Sequence, residues 1–331
     1  MLKRYIPRLL KQLNYRTFTQ SSTIYNKKKL GNTDILLSPF SIGTSTFGNM
    51  YGILDTSNMK NIVKHSIKNE LNYFDTSPYY GIKTSEINLG NALEGINRND
   101  FIISTKVGRY GYNDFDFSEK KILSSIDESL ERLKLDYVDI LLAHDVEFGN
   151  FDQIINETLP ALQKIKDSGK ACYIGFSCYP IELFKKIIDK STVKIDVILS
   201  YAHSCLINNK LETIIPYLQN KGIGIINASP LCMGLLSTNP APEWHPSSKE
   251  MQKYIHEESL KLYSEYNVKI EDMALIYSLL NNNIATTLTG IKNIEEINKL
   301  ISILNNDIII SNDIFDYVND RFKKYNNIEF E

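Results

Sequence analysis

The chain has 331 residues, a formal net charge of -2, and 43% hydrophobic, 23% charged and 11% aromatic residues. This ordinary globular balance excludes the basic footprint of a nucleic-acid binder, and 16 glycines and 10 prolines exclude a collagen-like or low-complexity chain. No apolar run approaches the ~18 residues of a membrane span, and the length suits one large domain, as in barrels of roughly 250 residues or more.

Residues 1–29 differ from the rest. They carry eight basic residues (Lys3, Arg4, Arg8, Lys11, Arg16, Lys27, Lys28, Lys29) and no acid. Leu2, Ile6, Leu9, Leu10 and Leu13 fall at helical spacing, and a hydroxyl-rich stretch from Arg16 to Thr23 follows. That is the composition of a mitochondrial transit peptide. An unstructured basic tail on a cytoplasmic protein is the alternative. The folded domain is expected over residues 30–331.

From there, short β-rich runs alternate with helical stretches. The runs are Leu37–Thr44, Tyr73–Ser77, Phe101–Val107, Val138–His144, Ala171–Ser177, Val197–Tyr201, Gly222–Ser229 and Ala285–Gly290. Between them, Ser118–Leu133 places Ile122, Ile126 and Leu130 on one helical face behind a capping serine. Strand–helix alternation implies a parallel sheet with right-handed crossovers. Eight such units predict a single-domain α/β fold, a (β/α)8 TIM barrel. The rival is a doubly wound open sheet, which would carry GxGxxG after its first strand. Gly43-Thr-Ser-Thr-Phe-Gly48 is not that pattern, and Gly222-Ile-Gly224-Ile-Ile-Asn227 lacks the third glycine.

Cys172, Cys178, Cys205 and Cys232 form no CxxC pair, so free thiols are expected. No Cys/His spacing predicts zinc, and no metal is expected.

In a barrel, chemistry sits at the C-terminal ends of the strands. Those ends carry Asp75 with Tyr79 and Tyr80, Lys106, His144 with Asp145, Ser177, Tyr201 with His203, and Asn227–Ser229. Singly, each has a bland explanation, such as a turn-stabilising aspartate or a solvated lysine. Together, Asp75, Tyr80, Lys106 and His144 would converge from three consecutive strands. A tyrosine titrates near ~10, and a lysine ammonium beside it favours the phenolate. A carboxylate would orient the lysine, and an imidazole would hold the substrate oxygen. The set is suited to general acid–base work. With no metal and no nucleophile, hydride transfer with a nicotinamide is the matching reaction.

At this point the sequence resembles the aldo-keto reductases, from about Leu30 to about Ile303. The resemblance rests on Phe74-Asp-Thr-Ser-Pro-Tyr-Tyr-Gly81, Ser104-Thr-Lys-Val-Gly108, Ser125–Leu133, Leu135–Asp139 leading into His144, Gly169-Lys170 before Ile174–Ser177, and Ser229-Pro-Leu231 before Gly234–Leu236. It implies the catalytic set Asp75, Tyr80, Lys106 and His144. Within that superfamily, His144–Gly149, Val197–His203, Ala228–Leu236 and Pro242–Pro246 resemble the L-galactose dehydrogenase branch. That branch oxidises C1 of L-galactose to the 1,4-lactone, on the route to ascorbate or a related acid.

The resemblance implies cofactor contacts at Gly43, Thr44, Asp75, Ser177, Ser200, Ser229, Leu231, Gly234, Gly290, Lys292 and Glu296. Several positions depart from the wider family. Ala228 stands where many members stack a Tyr on the nicotinamide, Cys178 stands for the usual Asn, and the strand-six Gln has no counterpart among Ile198, Leu199 and Ser200. NADP-using relatives hold the 2′-phosphate with an Arg where this chain has Glu296. A carboxylate there favours NAD over NADP, although the nearby Lys292 could help a phosphate. For a sugar substrate, the expected contacts are Phe47, Tyr51, Tyr80, His144, His203 and Trp244, the last in the proline-rich segment Pro240–Pro246. A rigid surface loop is the alternative for that segment. Rival functions are dehydrogenation of another aldose (a D-threo-aldose or D-arabinose), general aldehyde reduction, and a channel-associated regulatory barrel.

Overall fold

A computed structural model describes residues 26–330; the expected transit leader lies, up to residue 25, outside the described residues. A short antiparallel hairpin comes first, β1 (Lys28–Lys29) with β2 (Leu36–Leu37). Lys28 and Lys29, counted with the leader in the sequence reading, are therefore part of the folded domain. Eight parallel strands then close into a barrel: β3 (Phe40–Gly43), β4 (Tyr73–Asp75), β5 (Ile102–Val107), β6 (Val138–Ala143), β7 (Ala171–Ser177), β8 (Val197–Tyr201), β9 (Gly224–Ala228) and β10 (Thr286–Gly290). Closure comes from β10 pairing both β9 and β3. All eight strands fall within the runs expected from sequence, and the doubly wound alternative is excluded.

Helices follow the strands in turn: α1 (Thr56–Lys68), α2 (Thr84–Leu93), α3 (Glu119–Leu133), α4 (Leu159–Asp167), α5 (Ile181–Lys190) and α6 (Ile215–Asn220). Two helices, α7 (Lys249–Tyr266) and α8 (Ile270–Ser278), separate β9 from β10, and α9 (Ile294–Leu304) and α10 (Asn312–Phe322) complete the chain. The Ser118 side chain caps α3 by accepting from the Lys121 N–H, and Ile122, Ile126 and Leu130 are buried as their spacing predicts. No helix among the described residues is long and apolar enough to cross a membrane.

The strands are covered on both faces, which is why runs such as Val138–Ala143 read as nearly continuous apolar sequence. Alternate residues divide between two cores. Leu141 and Ile198 face the helices, whereas Ile140, Leu142, Val197, Leu199, Ile226 and Leu288 fill the barrel interior. Leu30, Ile35 and Leu37 of the hairpin join that interior cluster, so the hairpin plugs the end of the barrel opposite the strand C-termini.

The plug depends on a backbone contact. Asn32 donates its N–H to the Gly222 carbonyl at 2.8 Å. Gly31, at φ +55°, lies so close that a Cβ would fall 2.3 Å from the Gly224 nitrogen. The left-handed conformation and the overlap together make Gly31→Ala cost about 2–4 kcal/mol. Thermal denaturation is expected to show a Tm lowered by several degrees, with the catalytic end of the barrel unaffected. A Tm within about a degree of wild type would contradict this role for the plug.

Candidate active site

The β4–β5 register creates the site. Asp75 ends β4 opposite Ser104, and Lys106 lies two residues further along β5 on the same face. The lysine reaches back along the strand direction to place its Nζ 2.6 Å from Asp75 Oδ2 and 2.9 Å from the Thr76 carbonyl. The same ammonium donates to Tyr80 Oη at 3.1 Å. Ser104 donates to the other Asp75 oxygen at 2.6 Å, and Tyr73 Oη lies 2.8 Å from the Ser104 hydroxyl. The Asp75 and Lys106 side chains are only 3% and 1% exposed, so the pair is desolvated and each charge is matched by the other.

Tyr80 sits in the turn after β4, where its N–H donates to the Ser77 carbonyl. Gly48 and Gly81 let the segment after β3 press against that turn. A Cβ on Gly48 would fall 2.6 Å from the Tyr80 carbonyl carbon, and one on Gly81 would fall 2.1 Å from the Gly48 oxygen. His144 follows β6, and its ring packs edge-on to Tyr80 with centroids 5.8 Å apart. His144 Nδ1 lies 3.0 Å from the Ser77 hydroxyl, whose oxygen also accepts the Tyr79 N–H. The structure thus brings Asp75, Tyr80, Lys106 and His144 into one contiguous group.

Burial lowers His144 to about 3, so the imidazole is neutral. Tyr80 moves opposite to the sequence expectation. Burial, reinforced by the Asp75 and Asp145 carboxylates, holds the phenol well above 10. The physical reason is that a fully buried phenolate loses its hydration and faces two nearby carboxylates, which together outweigh the ammonium beside it. Tyr80 is therefore a protonated donor at neutral pH.

These features have counterparts in known proteins. Residues 39–318 match the Aldo/keto reductase family. The chain belongs to that family. It is 42% identical over 278 residues to the L-galactose dehydrogenase of Arabidopsis thaliana, covering 83% of this chain and 86% of that relative. It is 34% identical over 233 residues to the D-arabinose 1-dehydrogenase of Saccharomyces cerevisiae, covering 67% of this chain and 68% of the relative. In structure it is similar to an aldo-keto reductase from Bacillus halodurans in its holo form, with a TM-score of 0.72, 25% identity, and coverage of 93% of this chain and 98% of the other.

Aldo-keto reductases are oxidoreductases that use nicotinamide cofactors, and this chain's barrel mouth has groups suited to one. Ser200 Oγ and Asn227 Oδ1, paired across β8 and β9, are buried with no partner among the described residues. A carboxamide supplies the donors and acceptor that such groups lack. Gly43 and Gly290 pair at the ends of β3 and β10. Thr44 donates to the Asp75 carbonyl at 2.9 Å. Ser229 adopts φ 57° and Gly234 φ 94° in the turn beyond β9, around the half-buried Leu231. Ser177 is occupied by Asp145, whose N–H it accepts at 3.0 Å and whose Oδ1 it donates to at 3.2 Å. Glu296 accepts the Lys292 N–H at 2.7 Å while its own N–H donates to Asn293 at 2.8 Å. The Asn293 cap and the tie to Lys292 fix a carboxylate in the first turn of α9.

The residues expected to meet substrate divide. Trp244 is 50% exposed and meets the half-buried Tyr51 edge-on at 5.6 Å. His245 anchors that loop by bonding the Cys232 carbonyl and Ser247. Phe47 instead lies fully buried in the main core. His203 is fully buried, with neither ring nitrogen meeting a well-formed hydrogen-bond partner among the described residues, and Tyr179 packs over it at 4.3 Å. All four cysteines are free.

Sequence reasoning missed Arg109, which pairs with Asp145 at 2.5 Å, and Glu147. Glu147 Oε1 accepts from the Tyr179 N–H and Tyr201 Oη, and burial with the adjacent Asp145 carboxylate pushes its carboxyl up to about 8. The available signal was their position, immediately past the β5 and β6 ends.

Burial lowers His203 from 6.5 to about 4. Below pH 6.5 the unfolded chain binds a proton here that the folded chain refuses, so this contribution is whole above 6.5 and lost as pH falls toward 4. At pH 4.5 the loss is of order 2 kcal/mol. Thermal denaturation at pH 7 and 4.5 is expected to show a smaller acid-induced fall in Tm for His203→Phe than for wild type. Equal falls would remove His203 from the acid response.

Proposed function

We propose that this aldo-keto reductase is an NAD-dependent sugar dehydrogenase that oxidises C1 of L-galactose to L-galactono-1,4-lactone. The observation that carries it is the Lys106 ammonium bonded at once to Asp75 and Tyr80, beside a neutral His144. The 42% identity to an L-galactose dehydrogenase supports the sugar. So does the rim, where the half-exposed Trp244 ring and the adjoining Tyr51 ring suit the C–H faces of a sugar.

When bound, the oxidised nicotinamide supplies the hydride acceptor and a cationic ring. The chain handles the proton. His144 Nε2–H binds the C1 hydroxyl oxygen and orients it toward Tyr80. The hydroxyl proton passes to Tyr80 Oη in its phenolate form, which Lys106 stabilises through its hydrogen bond. Because burial opposes that phenolate, oxidation speeds up as pH rises. The protonated phenol is equally suited to the reverse reaction.

Tyr80→Phe is expected to lose about 10²–10⁴-fold in turnover while NAD binding, measured by calorimetry, is retained. An active Tyr80→Phe sinks the mechanism. Initial rates with NAD over a panel of aldoses test the sugar. L-galactose ranking below D-arabinose would overturn the substrate and leave the dehydrogenase reading intact.

The preference for NAD rests on Glu296. A carboxylate held in the first turn of α9 accepts a ribose hydroxyl and repels a 2′-phosphate. Glu296→Arg is expected to raise the NADP-to-NAD ratio of kcat/KM roughly tenfold or more. A wild type that already favours NADP refutes this assignment.

A further inference from the structure

Beyond the four converging groups, the mouth holds a second buried ion pair. Arg109 lies three residues past Lys106, and its side chain is 12% exposed. Its Nη1 donates to Asp145 Oδ2 at 2.5 Å. The guanidinium also lies 3.8 Å from the Tyr79 ring centroid, 5.2 Å from Phe115 and 5.4 Å from Phe148. These rings fix its plane in a way a flexible ammonium would not match. Asp145 is held in turn at φ 50° and clasped by Ser177. The same Asp145 Oδ2 lies 3.5 Å from His144 Nε2.

One carboxylate oxygen is therefore shared unequally between a guanidinium and an imidazole. In the tautomer that serves the proposed role, the Ser77 hydroxyl donates to Nδ1 and the His144 proton sits on Nε2, the edge that faces Asp145. An unmatched carboxylate at this distance would capture that N–H and stabilise the imidazolium. The other charged or titratable neighbours do not replace Arg109. Lys106 is matched by Asp75, Tyr79 and Tyr80 are protonated, and Glu147, packed near Asp145, would add negative charge if ionised.

We infer that Arg109 is a positioning residue that draws the Asp145 carboxylate away from His144, keeping the imidazole neutral and its Nε2–H free for the reacting oxygen. This rests on the role given to His144 under the proposed function, but its first test needs neither sugar nor cofactor. The His144 ring is followed by NMR titration in the full-length protein, with His144→Gln assigning the resonance. In wild type the ring is expected not to titrate between pH 5 and 8. Arg109→Met should bring its titration into that window, at least a hundredfold rise in proton affinity. Arg109→Lys should shift it less, and Arg109→Met combined with Asp145→Asn should silence it again. Where Arg109→Met fails to fold, the partial shift in Arg109→Lys is the deciding measurement.

The pH–rate profile should agree, gaining an acidic limb in the single variant and not in the double. A ring silent down to pH 5 in both single variants, or a double variant titrating like Arg109→Met, overturns the inference. The stated titrations in an enzyme that oxidises no sugar would instead overturn the proposed function and leave Arg109 in its role.

Discussion

Everything at the mouth of this barrel depends on the Lys106–Asp75 contact at 2.6 Å. Buried apart, either charge would be prohibitively costly, and removing one partner of such a pair costs roughly 3–5 kcal/mol. Buried together, with Ser104 and the Thr76 carbonyl using their remaining valences, they become a rigid, nearly neutral dipole. That dipole delivers one ammonium proton to Tyr80 Oη without flooding the phenol with positive charge. The pair thus serves geometry first. It holds the hydrogen-bond direction along which a phenolate can be stabilised, and it leaves the resting phenol protonated.

The Arg109–Asp145 pair repeats this logic across the site. Two matched ion pairs bracket an uncharged tyrosine and an uncharged histidine, so under the proposed function a substrate oxygen would meet directed N–H and O–H groups and no bare charge. In a water-poor pocket, preorganised dipoles of this kind need no reorganisation when charge develops. An unmatched ion would instead trap one protonation state.

Much of this was legible in the sequence, and the reasons differ from residue to residue. The strands were legible because a sheet covered on both faces demands apolar runs, and Ala171–Ser177 and Val197–Tyr201 have the same limits in sequence and structure. The converging four were legible because strand ends fix which residues can meet. Phe47 was misplaced because an aromatic residue after a strand can turn inward as readily as outward, and here it joins the core. Arg109 was overlooked because its partner is 36 residues away in sequence and no local pattern joins them. The direction of the Tyr80 shift could not be read from composition. It depends on how deeply the phenol is buried and how near the Asp75 and Asp145 carboxylates come, which only the folded chain sets.

The distribution of strain gives the same division of labour. Several residues that lack glycine's freedom yet hold positive φ follow strand C-termini: Ile82 and Lys83 after β4, Asp145 after β6, Ala202 after β8, and Ser229, Cys232 and Met233 after β9. Ile82, β-branched at φ 50°, is the costliest type in this list. At the opposite end the hairpin spends a glycine, Gly31, on the equivalent conformation and so avoids the cost. The plugged end is built for stability, with Leu30, Ile35 and Leu37 sealing the interior. At the mouth, the left-handed Asp145 directly follows His144, and Ile82 and Lys83 follow Tyr80 and Gly81, so part of the unfavourable backbone lies in the turns that carry the converging groups. The closed sheet holds those turns in place, since its strand ends cannot relax without breaking the ladder on both sides.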